Sequence, residues 1–97
     1  MSQDLLNQLR ENGELASQTA QVVARLVDIS ALTDEHRARI RPAIESRLLE
    51  LALLADRIGI LERSDETEEM MRTAAIVERL WEDIASKLDI VPLNPAG

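Results

Sequence analysis

Apolar residues recur along this chain at helical intervals, in three blocks separated by short polar connections. In the first block Leu5, Leu9, Ala16, Ala20, Val23 and Val27 return at spacings compatible with about 3.6 residues per turn. Ser2 stands where a helix cap is wanted, and Asn12-Gly13 interrupts the middle of the block. A helix ending there would use Gly13 as a left-handed terminating residue, yet the stripe resumes in phase beyond it. The pattern therefore predicts one helix over 3–29, weakened or bent at Gly13, where glycine costs up to about 1 kcal/mol.

A second helix is predicted over 34–58, capped by Thr33, with Asp34 and Glu35 in the favourable first turn. Pro42 removes a backbone donor and crowds the preceding turn, so this helix should kink near residues 38–42 or begin anew at Pro42. Gly59 is the expected C-terminal stop, with Ile60 and Leu61 as linker residues. The third block has Ser64 or Asp65 as cap, with Asp65 and Glu68 at capping-box spacing. Its stripe is Met70, Ala74, Val77, Trp81, Ile84 and Leu88, which predicts a helix over 65–89. Pro92 and Pro95 leave 91–97 as a flexible or extended tail. The expected fold is all-α: a single domain over 1–90, forming a three-helix antiparallel bundle or helical hairpin-type protomer that associates into a homodimeric bundle.

The reason for expecting association lies in the second helix. At about 100° per residue, Ile44, Leu48, Leu51, Ala52, Ala55 and Ile58 fill one sector of roughly 120°. Leu49 and Leu53 fall on a second sector, about 140–180° from Ile44, and Leu54 lies on another side near Arg47. Burying a leucine is worth about 1.5–3 kcal/mol, so three leucines off the main face represent stabilisation that a monomer leaves unused. The interface candidates are accordingly Leu49, Leu53 and Leu54, together with Trp81, Met70 and Met71. Trp81 is central to its stripe and reads as a core or interface anchor, and at least one of the two methionines should be core.

Composition narrows the chemistry. With one Trp and no Phe or Tyr in 97 residues, the core must be aliphatic. Absence of Cys excludes disulfides, thiolate metal sites and cysteine nucleophiles. The N-terminal residues lack a basic stretch followed by an apolar run, and no segment approaches 18 uncharged apolar residues, so no membrane insertion and a cytoplasmic location are expected. His36 is the sole histidine and centres no metal motif, and no phosphate-cradling glycine pattern is present. No catalytic, cofactor-binding or metal-binding residue is assigned.

The net charge of −7 opposes a phosphate backbone at long range. One alternative, a nucleic-acid-associated regulator, would rest on Arg37, Arg39, Arg41 and Arg47, a run that also holds Asp34, Glu35 and Glu45. A second alternative is a small helical enzyme presenting Arg25, Arg47, Arg57 and Arg79 to an anionic metabolite at a subunit interface; it requires those arginines to converge on a pocket. The leading expectation is a non-catalytic protein–protein interaction or accessory module that works as a helical oligomer, with a second copy as first partner and a heterologous protein as the alternative.

Overall fold

The computed structural model describes residues 2–88; the expected tail over 91–97 and the last residue of the third predicted helix lie outside that range. Three helices follow one another: α1 over Ser2–Asp28, α2 over Asp34–Gly59 and α3 over Asp65–Lys87. α1 stays helical through Gly13, and α2 stays helical through Pro42. Pro42 leaves the Ala38 carbonyl without its usual helical donor, and Ala38 and Pro42 are both exposed, so water can meet that carbonyl.

Side chains near the helix ends fix where the elements begin. The Thr33 hydroxyl accepts from His36 N (3.2 Å) while the Thr33 N–H donates to His36 Nδ1 (3.1 Å), so the lone histidine completes a capping box. Ser64 makes the same reciprocal pair with Thr67, its N–H donating to Thr67 Oγ1 at 2.8 Å and its hydroxyl accepting from Thr67 N at 3.2 Å. The box at α3 is therefore Ser64–Thr67, in place of the expected Asp65–Glu68 pair. Termination differs too. Gly59 does not take a left-handed conformation and is simply the last residue of α2. The left-handed residue is Ser30, with φ 54°, after α1. There the Ala31 N–H reaches Leu26 O (2.8 Å) and the Ser30 N–H reaches Val27 O (3.1 Å), the paired bonds of a Schellman ending.

The helices run up, down, up. Asn12 of α1 bonds the middle of α2 at Arg47 and Glu50 and the later part of α3 at Trp81, while Leu6 and Arg10 face Met70 and Thr73 at the start of α3. α1 and α3 are therefore parallel, with α2 antiparallel to both. α3 packs heavily on both neighbours, and α1 and α2 touch each other less. The core comprises Leu5, Leu9, Ala16 and Val23 of α1; Ile44, Leu51, Leu54 and Ile58 of α2; and the whole predicted α3 stripe with Ala85. Val27, expected in the α1 stripe, is 45% exposed because it lies at the end of the helix next to the Ser30 turn. At Gly13 an added Cβ would stand 3.2 Å from Val77 Cγ2, so the glycine allows close approach of α1 to α3.

Candidate functional site

The α2 surface divides as its angular pattern requires, with one shift. The sector of its buried and half-buried apolar residues runs from Leu54 through Ile58, Leu51, Ile44 and Ala55 to Leu48, again about 120° wide but rotated by roughly 40° from the expected one. Ala52 drops out of it and is exposed; Leu54 enters it and is only 2% exposed. Leu54 is thus corrected from interface candidate to core. Leu54 shares the side of α2 that Asn12 of α1 contacts, where the amide donates to the Arg47 carbonyl (3.1 Å), and it packs in the common core.

Leu49 and Leu53 remain on the opposite side, 63% and 57% exposed, one turn apart. Pro42, Ser46 and Asp56 are exposed on that same side, and Ile60, just past the helix end, is 86% exposed. The result is an outward face with two central leucines, bounded by a proline and an isoleucine toward its ends. Among the other interface candidates Trp81 and Met70 are buried in the protomer core and are unavailable to a partner. Met71 is 43% exposed and lines a groove of about 790 Å³ under the α2–α3 turn, with Ile58, Leu61, Arg63, Glu68 and Arg72.

The arginine candidates do not converge within the protomer. Arg25 and Arg57 stand near the C-terminal ends of two antiparallel helices, hence toward opposite ends of the bundle. Arg79 is exposed on α3, and Arg47 pairs with Glu50 at 3.3 Å. None of the four lines the groove under the α2–α3 turn or the smaller one, of about 300 Å³, between α1 and α3. In the Arg37–Arg47 run each arginine has an acid within one turn: Arg37 with Asp34 (2.9 Å), Arg39 with Glu35 (3.3 Å), Arg41 with Glu45 (3.3 Å) and Arg47 with Glu50. Arg37 is further engaged, its Nε–H donating to the Leu88 carbonyl (2.8 Å) and tying the end of α3 to the first turn of α2. A run of this kind presents alternating charge rather than a positive track. Among the described residues no group of three or more His, Asp or Glu side chains is placed to hold a metal ion, and no helix is long and apolar enough to cross a membrane.

One polar centre was not found from the sequence. Asn12 is fully buried; its Oδ1 accepts from Trp81 Nε1 (2.7 Å), and its Nδ2 donates to Glu50 Oε1 (2.7 Å) and Arg47 O (3.1 Å). One amide thereby joins all three helices and satisfies the buried indole. The available signal was phase: Asn12 lies three residues after Leu9 and four before Ala16, inside the apolar stripe. Beside Gly13, the same asparagine also fits a break in the helix, and that masks the buried polar position.

No protein-family model, curated protein or solved structure matches this chain.

Proposed function

We propose that the protein is a non-catalytic helical interaction module whose working unit is a homodimer joined through the outward face of α2. The observation that carries this reading is the pair Leu49 and Leu53, more than half exposed and one turn apart on the side of α2 facing away from its own core. Scaled by those exposures and doubled by two-fold symmetry, burial of the four leucines contributes about 4–7 kcal/mol. That lies at the low end of the cost of bringing two bodies together, about 4–15 kcal/mol, so assembly should depend on concentration and should need the flanking Pro42 and Ile60 surfaces.

Sedimentation equilibrium across a wide concentration range tests the proposal. A monomer–dimer equilibrium is expected for the native chain, and Leu53→Glu should shift it toward monomer while leaving far-ultraviolet helicity unchanged. A strict monomer at high concentration would overturn the homodimer reading and leave the same face to a different protein. An unchanged equilibrium in Leu53→Glu would place that leucine outside the interface.

A further inference from the structure

The outward face of α2 carries more than two leucines. Pro42, Ser46, Leu49, Leu53, Asp56 and Ile60 are separated by 4, 3, 4, 3 and 4 residues, the alternating spacing of a coiled-coil seam. All six are exposed, so the described residues leave the seam uncovered over its length of about 27 Å. An occupant must offer a helix of matching length and must tolerate an acid, Asp56, within an otherwise largely apolar seam.

We infer that the occupant is α2 of a second copy, lying antiparallel, in the register that sets Leu49 against Leu53 of the partner subunit. This rests on the homodimer reading above and adds its geometry. In that register the layers on either side pair Ser46 with the partner's Asp56, and Pro42 with the partner's Ile60. Each Asp56 carboxylate then meets a hydroxyl donor. A parallel, in-register pairing would instead stack the two Asp56 carboxylates in one seam layer, with like charges directly opposed. The same antiparallel register brings Ala52 near its own copy at the two-fold axis, where a small side chain lets the backbones approach. Glu50, the nearest acid on the other flank, is turned inward by Asn12 at 2.7 Å and paired with Arg47. Charge therefore selects the direction, and the central leucines supply the attraction.

The chain has no cysteine, so single substitutions report the register cleanly. Ser46→Cys and Asp56→Cys both alter exposed positions and leave the core intact. In the antiparallel register position 46 faces the partner's 56, while two copies of position 46 lie about 15 Å apart along the axis, beyond the reach of a disulfide. The two variants should be mixed, allowed to exchange subunits, oxidised, and compared with each variant oxidised alone.

A covalent dimer in the mixture, with little or none in either variant alone, is the expected result. Efficient self-coupling of Ser46→Cys would establish the parallel arrangement and overturn the register while leaving the dimer standing. A dimer by sedimentation that gives no covalent product in any sample would place the interface elsewhere and overturn the inference. A native chain that sediments only as monomer would remove the underlying reading itself.

Discussion

Replacing Asn12 by alanine isolates the one polar link between all three helices. The change leaves the indole N–H of Trp81 buried without a partner, since Trp81 is 1% exposed and donates only to Asn12 Oδ1 among the described hydrogen bonds. An orphaned buried donor costs about 1–3 kcal/mol. Loss of the bond to Glu50, whose side chain is 38% exposed, adds about 1 kcal/mol after allowance for solvent. Better helix propensity returns roughly half a kcal/mol. The expected net loss is about 1.5–3.5 kcal/mol, a large part of the roughly 5–15 kcal/mol that holds a domain of this size together.

Urea unfolding followed by far-ultraviolet circular dichroism, at one fixed protein concentration so that assembly does not vary, measures the loss. The midpoint should fall by about 1–3 M. Fluorescence of Trp81, the only tryptophan, should report a coincident transition. The sharper measurement is a double-mutant cycle. In a Trp81→Phe background there is no indole donor to orphan, so Asn12→Ala should cost about 1–2 kcal/mol less than in the native background. A single-mutant loss below about 0.5 kcal/mol with no coupling to Trp81 would refute the argument that this amide is what satisfies the buried indole.

Burial and backbone conformation set three further outcomes. Leu54→Ala should destabilise the protomer by about 2–5 kcal/mol, whereas Leu53→Ala, measured where the chain is monomeric, should change stability by less than about 0.5 kcal/mol; equal losses would reverse the assignment of these neighbours to core and outer face. Ser30→Gly should raise the thermal midpoint, because a serine at φ 54° bears roughly 1–2 kcal/mol that glycine avoids. Gly59→Ala should also raise it, by removing backbone freedom from the unfolded chain at a position where an added Cβ meets nothing within 4 Å. No gain from either substitution would contradict the backbone conformations at these two helix ends.

The sequence by itself determined what local physics controls. Helical periodicity marks three helices, the short polar connections make successive helices antiparallel, and the α3 stripe from Met70 to Leu88 is the buried one. Leu49 and Leu53 are separable from the α2 core by angle alone, because a helix fixes which side chains share a side before any neighbour is present.

Tertiary structure decided what depends on a second helix. Leu54 lies at the margin of its sector, and only the packing of neighbouring helices around α2 determines that this margin is covered and the Ala52 margin is not. The phase of the stripe carries α1 through Gly13, but the close contact with Val77 that the glycine permits depends on a neighbour about sixty residues away. The four candidate arginines line neither of the two described grooves, since facing on one helix says nothing of distance to another. Asn12 shows the same limit most clearly: polarity within an apolar stripe can be read from the chain, but the indole, carboxylate and carbonyl that satisfy it come together only when all three helices are packed.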